Sequence, residues 1–176
     1  MTMGAYKQRV LELFDLIDTS RSGFVDPGDL APRSEGQSAE QVQRGEAVGR
    51  IVTEIIRSSD SNKDGKLSKD EMLHWVERTM VGKTPETLPD PVKNLARAVF
   101  AFMDADGSGK VGKAEFEKYL KARNSSSAGA VEEFAKLDGD GDGTLVRSDI
   151  DKAIFRFFTA PESDCPQQWL RAFFKA

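Results

Sequence analysis

Apolar residues recur along this chain at i, i+3, i+4 and i+7, and each such stripe breaks off at a run of aspartates and glycines. Val10, Leu13, Phe14 and Ile17 end at Asp18, and Val48, Ile51, Val52 and Ile55 lead into Asp60. Val92, Leu95, Ala96 and Val99, then Phe102 and Met103, lead into Asp104, while Val131, Phe134 and Leu137 lead into Asp138. Beyond three of the polar runs a second stripe follows: Met72, Trp75, Val76 and Met80; Phe116, Tyr119 and Leu120; Ile150, Ala153, Ile154 and Phe157. A 3.6-residue period marks amphipathic helices, so the pattern predicts helix pairs joined by polar loops. The first pair is the least regular. Pro27 suits a first helical turn, but Pro32 and Gly36 end that helix early and leave only Leu30 and Ala31 for its apolar face. Ser38-Ala39-Glu40-Gln41 has the form of a capping box, and Asp90 before Pro91 is a helix start. The expectation is an all-α protein with eight helices in four hairpins.

The four polar runs share one layout. In Asp60 to Glu71, DSNKDGKLSKDE, the first, third and fifth residues Asp60, Asn62 and Asp64 carry side-chain oxygens, and Gly65 at the sixth permits the sharp turn that lets them converge. Lys66 at the seventh offers its carbonyl, Ser68 at the ninth can hold a ligand water, and Glu71 at the twelfth can clamp an ion with both oxygens. Such an all-oxygen shell suits a hard cation such as Ca²⁺. Alone, the stretch also has a substantial reading as a polar turn that binds nothing. The pattern repeats in Asp104 to Glu115 with Asp106, Ser108, Gly109 and the Lys110 carbonyl, and in Asp138 to Asp149 with Asp140, Asp142, Gly143 and the Thr144 carbonyl. Asp18 to Asp29 is a weaker copy with Ser20, Ser22, the Phe24 carbonyl and Asp26. Their first residues lie 42, 44 and 34 positions apart, an internal repeat that a chance turn does not produce. This is the pattern of the EF-hand loop.

The loops are unequal. Glu71 and Glu115 are long enough to give two oxygens, as the larger Ca²⁺ shell prefers. Loop four is rich in charge, but Asp149 is shorter and Val146 cannot hold a water through its side chain, so its Ca²⁺/Mg²⁺ preference is expected to differ. Loop one is lower in charge and leaves two readings open: a small shell suited to Mg²⁺, or a hand kept for pairing with loop two. Pairing is expected through the eighth loop residues, Val25 with Leu67 and Val111 with Leu145, whose types suit a short antiparallel bridge. The resulting organisation is a pair of hands over residues 1–85, a second pair over 86–160 and a tail over 161–176. Gly82 to Pro91 forms the linker, and Asn124 to Ser127 joins hands three and four.

A chain of 176 residues, 31% charged and 39% apolar, can bury a core, and its fifteen glycines match a repeated glycine-turn loop. A net charge of −4 gives nucleic acid no footprint. The amino-terminal segment is too charged for a signal or transit peptide, no run reaches membrane-spanning length, and the single Cys165 forms no internal disulfide, so the expectation is a cytoplasmic monomer. His74 stands alone on a charged helix face between Glu71 and Arg78, and Cys165 has no evident partner histidine, so no enzyme is expected.

Beyond the last hand, Pro166 can open a short helix in which Trp169 and Phe173, and Leu170 and Phe174, stand at i, i+4. So much aromatic surface needs a groove, and the protein's own interior is the expected one; Arg171 and Lys175 are too few cations for a membrane anchor. With four hands, a long spacing between the first two, and the segment FFTAPESDCPQQWL at Phe157 to Leu170, the chain resembles the sarcoplasmic calcium-binding proteins and their calerythrin-like and calexcitin-like relatives. The resemblance implies a compact molecule with both lobes packed together, acting as a calcium buffer. The chain departs from that family in its full second loop and in lacking a glycine-asparagine stretch near its end. Few methionines, only Met72, Met80 and Met103 outside the start, favour a buffer over a sensor with an adaptable target groove. The alternative is a Ca²⁺ sensor whose tail gives way to a protein target. A carrier of a hydrophobic ligand, like the related photoproteins, would want more polar aromatics and histidines.

Overall fold

A computed structural model describes residues 5–18, 20–26, 39–104, 106–122, 129–160 and 168–174. In chain order these form α1 (Ala5–Ile17), β1 (Phe24–Val25), α2 (Ala39–Ser59), β2 (Leu67–Ser68), α3 (Lys69–Thr79), a single 3₁₀ turn (Pro85–Thr87), α4 (Asp90–Met103), α5 (Lys113–Ala122), α6 (Ala130–Leu137), α7 (Arg147–Thr159) and α8 (Gln168–Phe174). Seven of the expected hairpin helices and the tail helix are thus present. The exiting segment of hand one, from Pro27 through Asp29, Leu30, Ala31, Pro32 and Gly36 to Ser38, lies outside the described residues. So do Asn124 to Ser127, Cys165 and Pro166.

Both loop pairings form at the expected register. Val25 stands opposite Leu67 in the two-stranded antiparallel sheet of β1 and β2. Val111 and Leu145 exchange both backbone hydrogen bonds, at 2.9 and 2.8 Å, in an isolated antiparallel bridge. All four side chains are buried, so each bridge ties two loops together and also plugs the core beneath them.

One continuous apolar cluster runs through both halves, taking Phe14 from α1, Ile51 from α2, Leu95 from α4, Phe157 from α7 and Trp169 from α8. Helix α2 packs on α4 and α1 packs on α7, so elements before and after the linker share the interior. The linker itself is anchored: Leu88 is 4% exposed, and the 3₁₀ turn before it lies against α7.

One local expectation holds and one shifts. Pro89, in extended geometry (φ −63°, ψ 151°), caps α4, so Asp90 is its first helical residue and Pro91 its second, where a missing N–H costs nothing. In α6 the buried stripe is Ala130, Glu133, Phe134 and Leu137, while Val131 is 56% exposed. Placing Val131 inward was wrong because Ala130 takes the i, i+3, i+4, i+7 series, with a carboxylate occupying one buried place.

Candidate metal centre

Each loop begins where a helix ends, and its leading aspartate turns the chain back. The amide of the sixth residue donates to that aspartate's Oδ2 in every loop: Gly23 to Asp18 at 2.9 Å, Gly65 to Asp60 at 2.8 Å, Gly109 to Asp104 at 2.9 Å and Gly143 to Asp138 at 2.8 Å. Those glycines have φ of 87°, 79°, 84° and 85°. The fourth residues are also left-handed, at 57° for Arg21, 59° for Lys63, and 68° for Gly107 and Gly141. Loop one therefore shares the left-handed fourth and sixth residues of the other three.

Asn62, Asp106 and Asp140 at the third position accept from the fifth-residue amides at 3.0, 3.0 and 3.2 Å. Asp64 and Asp142 at the fifth accept from the seventh-residue amides of Lys66 and Thr144, at 2.9 and 3.0 Å. In loop three, Ser108 Oγ lies 2.9 Å from the Lys110 carbonyl oxygen, and in loop one Ser22 Oγ lies 2.9 Å from that of Phe24, so two expected donor oxygens adjoin in each. The twelfth residue reaches back to the ninth: Ser68 N–H donates to Glu71 at 2.9 Å, Gly112 N–H to Glu115 at 3.3 Å and Val146 N–H to Asp149 at 3.0 Å. In loop two this closes a capping box with Ser68, so the clamp residue is held by the start of α3.

Three acidic groups come together in each of three loops, with one oxygen from each residue lying within 4.8 Å of the others: Asp60, Asp64 and Glu71; Asp104, Asp106 and Glu115; Asp138, Asp140 and Asp142. Asp149 stands outside the loop-four group, consistent with its shorter side chain. In loop one, Ser20 Oγ is 3.3 Å from both Asp18 Oδ1 and Ser22 Oγ, but among the described residues no acidic triad forms there, and Asp29 lies outside them. Asp26 follows β1. Among the described residues, Glu115 Oε2 and Asp138 Oδ1 are buried without a hydrogen-bond partner. An anionic oxygen in that position is costly unless a cation meets it, so this hard-oxygen donor set fits a divalent ion.

Titration follows the same crowding. Hydrogen bonds from the Ser108 hydroxyl and amide hold the Asp106 carboxyl below its ordinary range, and the Thr144 amide does the same for Asp142. For Asp140 the Asp142 amide favours the charged form, but the neighbouring carboxyls of Asp138 and Asp142, with some desolvation, outweigh it and raise the pKa. Sequence reasoning missed the fourth loop position, for which glycine at both 107 and 141 was the available signal. It also missed Ser61, whose hydroxyl donates to Glu71 Oε1 at 3.3 Å and steadies the clamp from the second loop position. His74 is exposed on α3.

The EF-hand domain pair family matches residues 7–77, and the EF hand family matches residues 96–121. The chain is an EF-hand protein. Among curated relatives, this EF-hand protein is 32% identical over 112 residues to the 16 kDa calcium-binding protein of Schistosoma mansoni, an alignment covering 62% of this chain and 66% of that one. It is 24% identical over 170 residues to the sarcoplasmic calcium-binding protein of Scylla paramamosain, covering 88% of each. Among solved structures, the amphioxus sarcoplasmic calcium-binding protein superposes with a TM-score of 0.70 at 21% identity, covering 97% of this chain and 98% of that one. The last comparison speaks to fold, and it extends the EF-hand architecture from the two matched segments to nearly the whole chain.

Proposed function

We propose that this EF-hand protein binds Ca²⁺ and acts as an intracellular calcium buffer of the sarcoplasmic calcium-binding type, a cytoplasmic monomer with no enzymatic role. Loops two and three are its Ca²⁺ sites, held by Asp60, Asn62, Asp64, Glu71 and by Asp104, Asp106, Ser108, Glu115, with the Lys66 and Lys110 carbonyls completing the shells. Loop four binds through Asp138, Asp140 and Asp142 with more tolerance of Mg²⁺, because Asp149 stands back from that group. Loop one is the weakest site. The single observation that carries this reading is the convergence of acidic groups in three loops that share left-handed fourth and sixth residues. The names of the relatives support the choice of ion.

Calorimetric titration with Ca²⁺ at fixed physiological Mg²⁺ tests it. The expected result is at least two Ca²⁺ bound per chain with little change in the binding of a hydrophobic dye. Absence of saturable Ca²⁺ binding refutes the reading, and a large Ca²⁺-driven rise in dye binding replaces the buffer with a sensor.

A further inference from the structure

A surface cavity of about 360 Å³ opens beside loop four, between the end of α6 and the first turns of α7. Ser148, Lys152 and Arg156 line it from α7 at successive i, i+4 positions, so they share one face, and Lys136 lines it from α6. Among the described residues, neither Lys152 nor Arg156 forms an ion pair. Lys152 acts on Glu86 only as a through-space charge. Beneath this cationic rim the lining turns apolar at Leu137 and Ala153, both buried. The size lies toward the small end of ligand pockets, which run from roughly 300 to 1,000 Å³.

We infer that this cavity binds a small phosphate monoester, with the phosphate on Lys152, Arg156 and the Ser148 hydroxyl and a compact apolar group over Leu137 and Ala153. A guanidinium matches two phosphate oxygens at once, and an ammonium beside it adds a point charge. The acidic residues of the lining are Asp140 and Asp149, both members of loop four. As bare carboxylates they oppose an incoming anion. If loop four holds a divalent ion, as proposed above, that opposition is removed, so cation and phosphate ester each strengthen the other's binding by the same factor. The pocket assignment stands without that coupling.

The test is calorimetric titration of the full chain with phenyl phosphate, in saturating Ca²⁺ and again in chelator, with inorganic phosphate as the comparison. Lys152→Ala combined with Arg156→Ala removes two exposed charges from α7 and leaves its buried face intact, and circular dichroism checks the fold. Saturable binding is expected, weakened about tenfold or more in the double variant, with Lys152→Arg retaining it, and tightened about fivefold by Ca²⁺. Inorganic phosphate is expected to bind more weakly than phenyl phosphate. No saturation by about 10 mM phenyl phosphate in either condition overturns the site, as does equal affinity in the double variant. Binding that survives in chelator, in a chain that takes up no Ca²⁺, supports the pocket while refuting the calcium reading. Cosedimentation with phosphatidic acid vesicles that the double variant abolishes assigns the ester to a lipid headgroup; phenyl phosphate binding without cosedimentation assigns it to a soluble ester, and either supports the site.

Discussion

The twelfth loop residue distinguishes the loops most sharply. Glu71 belongs to the loop-two acidic group and Glu115 to the loop-three group, whereas Asp149 is held by the Val146 amide outside its own. Changing Glu71→Gln or Glu115→Gln keeps side-chain length and removes one charge, so each is expected to weaken its own loop by roughly 100-fold, within the range over which such loops are tuned. A Ca²⁺ titration should lose one tight step in each variant; an unchanged isotherm would refute the assignment of the clamp. Asp149→Glu works the other way. One added methylene lets the carboxylate reach inward, and competition titrations should show selectivity for Ca²⁺ over Mg²⁺ in loop four rising about tenfold, since only the larger ion uses the extra oxygen. Equal selectivity before and after would mean that Asp149 does not limit the shell. Side chains at the first, third and fifth positions were readable in the sequence because their oxygens are their chemistry. The left-handed turn at Arg21 and Lys63 was not, because neither residue type announces a positive φ, and only the glycines at 107 and 141 hinted at it.

Among the elements, apolar period and loop spacing made the helices and both loop bridges legible. Val131 marks where local pattern gives way, to a competing apolar neighbour. Arg9 shows what the sequence could not reveal. It belongs to the charged amino-terminal segment, yet it is 3% exposed and sits at the end of α7, nearly 150 residues away. Its Nε donates to the Phe157 carbonyl at 2.9 Å, and its Nη2 donates to those of Arg156 and Ala160 at 3.1 and 2.6 Å. The guanidinium also lies 5.9 Å from the centre of the Phe157 ring. A cation at a helix C-terminus meets both its last carbonyls and its dipole, so Arg9 fastens α1 to α7. Arg9→Met keeps much of the volume and removes the guanidinium partner of the Phe157 and Ala160 carbonyls, while the Arg156 carbonyl keeps its bond from the Ala160 amide. The variant is expected to lose about 3 kcal/mol of stability in urea denaturation. A loss under about 0.5 kcal/mol, as for an ordinary surface substitution, would show the clamp to be dispensable.

At the scale of the molecule, the question is what keeps the interior closed. The tail's Trp169 and Phe173 are fully buried, and Phe173 meets the Phe102 ring at 5.7 Å between centroids. Its backbone is held as well: Tyr119 Oη donates to the Trp169 carbonyl at 2.8 Å, and the Trp169 N–H donates to Glu133 Oε1 at 3.0 Å. The carboxylate in the buried stripe of α6 therefore receives the start of α8, which explains why a charge takes an apolar place there. The aromatic spacing of the tail was visible in the sequence; its seat was not, because it is assembled from elements remote in the chain: α1, α2 and α5, with Phe102 of α4 and Glu133 of α6. Trp169→Ala should cost about 3 to 5 kcal/mol through lost burial and an incompletely collapsed cavity. It should also raise hydrophobic-dye binding in the absence of Ca²⁺, because the groove beneath the indole is then partly open. These two readouts separate structural loss from switching. If dye binding rises in Trp169→Ala while Ca²⁺ leaves the intact chain flat, the tail is a fixed plug and ion binding changes occupancy with little change of shape. If Ca²⁺ alone brings the intact chain to the dye binding of the variant, the ion does the work of the mutation. The groove then becomes a target surface with α8 as its internal competitor.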